Sequence, residues 1–199
     1  MKALIHTGSP SALAEALDSA SHPERIAFIQ ELGRADQRAL WELAADAEPL
    51  TLEDFVPEHV PTGTPVTHHG CNTLPLPSWG RRFRKIMVRA PGGEIWGYND
   101  SPFVVGIGPG FFTTRACRGA EYPHSSIVVD YHLLPAGPIP DAWPRLRPNW
   151  LGLQVLVYFH TRDYMRRVSR HVTIGMATKY GRPMGSWFAL TREDRPPGA

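Results

Sequence analysis

No run in this sequence approaches the ~18 consecutive apolar residues of a membrane-spanning helix. The first residues carry one lysine but no apolar stretch of signal-peptide length. These absences predict a chain without a membrane span and make the cytoplasm the default location. Only two cysteines occur, Cys71 and Cys117. That is too few for a disulfide framework, and sequence spacing cannot say whether they join. An excess of one charge is also missing: 21 basic against 19 acidic residues leave a formal net charge of +2. Phosphate binding needs a concentrated basic face, so no nucleic-acid partner is expected.

Several catalytic motifs are absent as well. Without Gly-x-Ser-x-Gly there is no nucleophile elbow. Gly106-Ile107-Gly108-Pro109-Gly110 is no phosphate loop, because Pro109 removes a donor and no Gly-Lys-Ser/Thr follows. Those glycines are expected to mark a bulge or tight bend. No Cys-x-x-Cys or His-Glu-x-x-His pattern occurs either. His68, His69, Cys71, Cys117 and His124 are the available zinc-type ligands. Adjacent strand residues point to opposite faces, so His68 and His69 cannot serve one ion on an unbroken strand, although His69 and Cys71 share a face. No metal and no cofactor are expected.

What the sequence has in quantity is 20 Pro and 18 Gly in 199 residues, with 42% hydrophobic and 20% charged side chains. The latter two values fit a globular chain and exclude wholesale disorder. The first two favour many short elements joined by turns. Residues 9–47 nonetheless show helical spacing. Leu13 and Leu17 share a face, Ser21-His22-Pro23-Glu24 offers a cap with proline in the first turn, and Ile26, Ile29 and Leu32 form a stripe ending near Gly33. Asp36 can open a further helix carrying Leu40, Trp41 and Leu43. These stripes suit packing on a main domain, with a partner-binding face as the alternative.

Pro49, Pro57, Pro61 and Pro65 then mark a connector expected to run extended along the surface. From residue 67 the period shortens to two. Strands are predicted over 83–89, 94–99, 104–107, 111–117, 126–134, 154–160, 168–177 and 186–191, with a long loop at 135–150 pinned by Trp143 and Trp150. The expected organisation is a helical segment at 1–48, a connector at 49–66, a β-barrel-like domain at 67–192 and a flexible tail at 193–199. So many short strands must manage their edges, and closure is the readiest solution. The fold class is therefore mainly β (α+β): an antiparallel β-barrel or strongly curved sheet preceded by an N-terminal helical segment.

The order Asn72-Thr73-Leu74-Pro75, Gly97-Tyr98-Asn99, Gly108-Pro109-Gly110-Phe111-Phe112, Val129-Asp130-Tyr131 and Gly185-Ser186-Trp187-Phe188-Ala189-Leu190-Thr191-Arg192 resembles the strand grammar of lipocalin-like (calycin) barrels. The Gly-x-Trp strand typical of lipocalins is missing. The resemblance implies a cavity for a small, largely apolar ligand.

Candidate functional residues follow from polar groups set among apolar runs between His68 and Phe112 and from the run 126–133. In that run Ile127, Val129, Tyr131 and Leu133 share one face, while Ser126, Val128, Asp130 and His132 share the other. Asp130 and His132 stand about 7 Å apart along a strand. They are an acid/base pair if interior and a solvated face if exterior. An enzyme would use His69, Tyr98, Asp130 and His132 for proton transfer, as a lyase, cyclase or hydrolase. A binding protein would use Asn72, Trp96, Tyr158 and Arg170. Among the arginines at 162, 166, 167 and 170, Arg170 shares parity with Val168, Val172 and Ile174. It is therefore expected to be partly buried and to anchor an anion, whereas surface charge is the alternative. Three functions remain: a binding protein for a small apolar or weakly acidic ligand, a barrel enzyme, and a structural or interaction protein. The oligomeric state is left open.

Overall fold

The computed structural model describes residues 1–119 and 121–194. Four helices open the chain: α1 (Lys2–His6), α2 (Pro10–Ser19), α3 (His22–Glu31) and α4 (Arg34–Leu43). Eight strands follow: β1 (Val66–Asn72), β2 (Arg82–Arg89), β3 (Ile95–Asp100), β4 (Phe112–Ala116), β5 (Ile127–Asp130), β6 (Thr161–Arg167), β7 (Val172–Lys179) and β8 (Arg182–Arg192). Each pairs antiparallel with its sequence neighbour, and β8 pairs back onto β1, so the sheet closes into a barrel in simple meander order. Closure leaves no unpaired edge. This architecture is consistent with a lipocalin-like fold.

Local chemistry explains the helices. Pro23 occupies the first turn of α3, and the Glu24 carboxylate accepts from the Ser21 backbone N–H at 2.7 Å. The Asp36 carboxylate likewise accepts from the Gly33 N–H at 2.8 Å, so Gly33 caps the start of α4, one residue after the Leu32 that closes α3. The apolar stripes of α2 to α4 pack on the outer wall of the barrel, against Val128, Tyr164, Val172, Ile174 and Met176.

The interior is filled by pairing large with small. Phe83 lies over Gly70, Phe112 over Gly97 and Phe188 over Gly175, each pair in direct register on adjacent strands. A Cβ on any of these glycines would collide with the ring, so glycine is needed for close approach here.

The structure corrects three expectations about the chain. The 49–66 connector does not run along the surface: it turns through a 3-10 turn (Leu52–Asp54) and drives Leu50, Phe55, Val56 and Val60 into one end of the barrel as a plug. Its prolines removed the periodicity that would have betrayed the burial. The segments expected as strands at 104–107 and 154–160 instead form the short helices α5 (Val104–Ile107) and α6 (Gln154–Val157). Short apolar runs do not distinguish the two states. Two unassigned segments are strands, β1 and β6, the latter hidden by its charged residues Arg162, Asp163, Arg166 and Arg167.

The 131–160 connection is pinned by Trp143, which is buried with its ring 5.0 Å from Tyr98 and 6.2 Å from Phe111. Trp150 is exposed. Glu193 and Asp194, expected in the tail, are held: Glu193 accepts from the Thr67 N–H at 2.7 Å, and Asp194 pairs with Arg25. Residues 195–199 lie outside the described residues. Both cysteines are free thiols.

Candidate functional site

The end of the barrel opposite the plug is open. A cavity of about 180 Å³ leads inward from it, walled by apolar side chains including Phe83, Phe103, Ile107, Val157, Met184 and Phe188. At its base four polar side chains converge, three from strands β2, β3 and β6 and one, Tyr131, from just beyond β5. Lys85 on β2 and Asn99 on β3 are direct cross-strand partners, and Lys85 Nζ donates to Asn99 Oδ1 at 2.9 Å. Nζ also donates to the Tyr131 hydroxyl at 2.5 Å and lies 3.4 Å from Asp163 Oδ2 on β6. Asn99 Nδ2 donates to the Gly110 carbonyl at 3.0 Å and to the Tyr131 hydroxyl at 3.1 Å. Lys85 is only 1% exposed and Asp163 4%.

Sequence parity puts them there. Lys85 stands between Phe83 and Met87 on the inward face of β2, and Asp163 between Thr161 and Met165 on that of β6. Aromatic rings enclose the ammonium: Nζ lies 4.8 Å from the Phe112 centroid, 5.1 Å from Tyr131 and 5.1 Å from Phe188. Their negative faces offset part of its lost hydration. Tyr158 stacks on Tyr131 at 5.2 Å.

The loops are tied to the same site. Asn149 Nδ2 donates to the carbonyls of Phe111 and Tyr131, and Gln154 Oε1 accepts from the Gly110 N–H at 2.9 Å. Gly108 and Gly110 have φ of 107° and 55°, and Gln154 and Tyr158 occupy the space that their side chains would need. The glycine run is therefore the tight bend its composition implied.

Burial sets the electrostatics. It pushes the Lys85 ammonium down from its ordinary pKa, while the Asp163 carboxylate pulls it back up. Burial likewise raises the Asp163 carboxyl, and Lys85 opposes that shift. Each group thus favours the charged form of the other against the pull of burial. Desolvation also holds the Tyr131 and Tyr158 hydroxyls well above the usual phenol range, so both are protonated donors. The arrangement can therefore give and accept hydrogen bonds at the end of an otherwise apolar pocket.

Of the residues singled out from sequence, Asn72 and Tyr158 line this cavity. The others lie elsewhere. His69 faces outward and meets the His22 ring of α3 at 5.3 Å, while its neighbour His68 points inward at the plugged end, where Nε2 donates to the Phe55 carbonyl at 2.9 Å. Burial lowers the His68 pKa to about 3, so the ring is neutral. Tyr98 and Trp96 pack on the outer wall with Trp143, Phe111 and Val88.

Asp130 also faces outward yet is buried in a charge cluster. It meets Arg115 at 2.7 Å and Arg162 at 3.1 Å, and Arg115 also binds Glu121 at 2.8 Å. Those hydrogen bonds lower the Glu121 pKa to about 2. His132 lies beyond β5, exposed, with its ring 5.0 Å from that of His160. The four side chains of the acid/base set are thus not gathered around one pocket.

Arg170 requires a correction. It is exposed in the turn between β6 and β7, because residues 168–171 break the strand whose parity was expected to carry it inward. Arg166 is the buried one. It donates to the carbonyls of Trp41 at 2.7 Å and Pro123 at 3.1 Å, with its guanidinium 3.8 Å above the Trp41 ring.

Sequence reasoning missed Lys85, Asn99, Tyr131 and Asp163 as a set. The available signal was a charged or phenolic side chain on the apolar parity of a strand. Among the described residues no group of three or more His, Cys, Asp or Glu is arranged to hold a metal ion, and no helix is long and apolar enough to cross a membrane. Comparison of this chain with protein-family models, with curated proteins and with solved structures finds no match.

Proposed function

We propose that this chain is a lipocalin-like small-molecule-binding protein whose ligand enters the open end of the barrel. The observation that carries the reading is the buried Lys85–Asn99–Tyr131–Asp163 cluster at the base of an apolar cavity. Apolar walls with a few convergent polar groups are what small ligands select. Because Lys85 and Asp163 neutralise each other, the base offers paired donors and acceptors, not a bare cation. That suits a small, mostly apolar molecule with one hydroxyl, carbonyl or weakly acidic head group.

The test is native mass spectrometry of the protein purified from its own host, beside an Ala177→Trp variant that fills the cavity from its wall. The expected result is a bound mass carried by the natural sequence and lost from the variant at unchanged circular dichroism. A mass retained by Ala177→Trp would remove the cavity from the account.

A second reading rests on the same cluster. Lys85 Nζ and the Tyr131 hydroxyl are 2.5 Å apart, with Asp163 beside them, so an enzyme on this barrel would move protons through these groups. Release of the bound molecule in chemically altered form, abolished by Tyr131→Phe, would favour it.

A further inference from the structure

The connections at the open end of the barrel are 73–81, 101–111, 131–160 and 180–181. Among the described residues, every exposed large hydrophobic side chain but Met1 belongs to these connections or to the first turn's width of β8. Val105 at 97% exposed, Leu156 at 70%, Tyr180 at 64% and Trp150 at 61% are the most prominent, with Trp79, Met184 and Leu74 around the rim. Scattered exposed apolar residues need no explanation, but confinement to one end does. None of Val105, Leu156, Trp150 or Trp79 lines the cavity, so ligand binding does not account for them.

Charge identifies what covers this end. Arg81, Arg82 and Arg182 stand at the same rim, and among the described residues none forms an ion pair with a carboxylate. At the plugged end exposed charges of both signs are mixed, Glu53, Glu58 and Glu94 with Arg118 and Arg170. The apolar rim thus carries basic charge that no carboxylate among the described residues neutralises. Two copies meeting rim to rim would bring like charges together, which opposes a symmetric dimer. The apolar side chains come from four separate connections around one opening.

We propose that the open end docks on an anionic lipid surface, with Val105, Leu156, Trp79 and Trp150 entering the interfacial layer and the rim arginines meeting the head groups. Tryptophan and arginine both favour that layer, and binding there needs apolar burial together with basic charge. The mouth of the cavity would then face the bilayer, so an apolar molecule could pass between them without crossing water. The docking itself does not depend on what the cavity holds.

Flotation of the full chain with vesicles tests this, using phosphatidylcholine and phosphatidylglycerol in equal parts against phosphatidylcholine alone. The natural sequence is expected to float with the mixed vesicles, less with phosphatidylcholine alone, and less as salt is raised. Val105→Asp with Leu156→Asp should lower the bound fraction about tenfold or more, since apolar burial drives insertion. Arg82→Glu with Arg182→Glu should abolish the preference for phosphatidylglycerol. All four positions are solvent-exposed, and unchanged circular dichroism would establish that the variants fold. Absence of flotation by the natural sequence, or flotation unaffected by the aspartate pair, would overturn the proposal. So would a dimer in sedimentation that the aspartate pair dissociates while no vesicle binding is seen.

Discussion

The two ends of the barrel bury polar groups in opposite ways. At the plugged end they are held by backbone: His68 donates to the Phe55 carbonyl, Arg89 to that of Val56, and Arg192 to those of Glu53 and Asp54. A carbonyl neither titrates nor turns away, so each bond fixes the 50–60 segment in the opening. At the open end Lys85 is held by side chains, Asn99, Tyr131 and Asp163. Those partners can change proton or rotamer when a ligand arrives. The same inward parity therefore yields a rivet at one end and a receptive site at the other. What decides between them is whether the chain supplies main-chain acceptors to the group or leaves space beside it.

The largest effects should come from removing what defines each end. Phe55 is fully buried in the plug, and Phe55→Ala should cost about 3–5 kcal/mol of folding stability through lost burial and the cavity left behind. Denaturant unfolding would measure it. If the ends act separately, the molecule retained in native mass spectrometry should be unchanged at temperatures where the variant is folded. Joint loss would mean that the plug also shapes the site.

Asp163→Asn should cost a comparable amount near neutral pH, about 3–5 kcal/mol, because it leaves the Lys85 ammonium buried without its counter-charge. The pH dependence distinguishes this from a packing defect. Burial already sets the folded Lys85 pKa below its unfolded value, and removal of the carboxylate lowers it further. Below the folded pKa both states hold the proton and the cost is full. Above it the unfolded chain binds more protons than the folded one, so relative stability rises with pH until lysine titrates in the unfolded chain near about 10.4. The deficit of Asp163→Asn should therefore shrink as pH is raised, in melts read against the natural sequence. A deficit constant over that range would show that the charge of Lys85 is not what the carboxylate compensates.

The sequence carried the architecture further than the site, and particular residues explain the gap. Period-two runs and turn glycines announced strands, and the need to remove edges announced closure. Yet β6 went unassigned because four charged residues interrupt Thr161–Arg167. One of them, Asp163, is the inward carboxylate of the site. The features that made the strand look exposed were those that made it functional. Lys85 stands in the basic run of Arg81, Arg82 and Arg84, which masks a parity it shares with Phe83 and Met87. Asn72 was legible because it follows Gly70 and Cys71 at a turn into the sheet, where an amide can satisfy backbone or ligand groups, whereas Tyr158 lines the cavity from a segment expected as a strand that instead ends α6. Asp130 and His132 were weighed as interior or exterior, and the answer depended on Tyr131. Only one parity of β5 can face inward, and Tyr131, just beyond it, continues the inward line of Ile127 and Val129.

The smallest expected effect lies at the plugged end, in the turn that carries Arg170. Its exposed guanidinium makes no hydrogen bond among the described residues; the backbone N–H of Arg170, which bonds Asp18 Oδ1 at 2.9 Å, would survive truncation of the side chain. Arg170→Ala should therefore change stability by no more than about 0.5 kcal/mol and leave ligand retention unaltered. Arg166, four residues earlier in the same charged run, should behave differently. Its guanidinium joins the carbonyls of Trp41 and Pro123 while stacked on the Trp41 ring, fastening the end of α4 to the barrel wall. Arg166→Ala should cost roughly 2–3 kcal/mol from those charged hydrogen bonds and the ring contact. Thermal melts of the two variants side by side measure the difference. Equal losses would mean that the 168–171 turn is not the surface feature its exposure indicates, and that the plugged end extends its fixed structure out to Arg170.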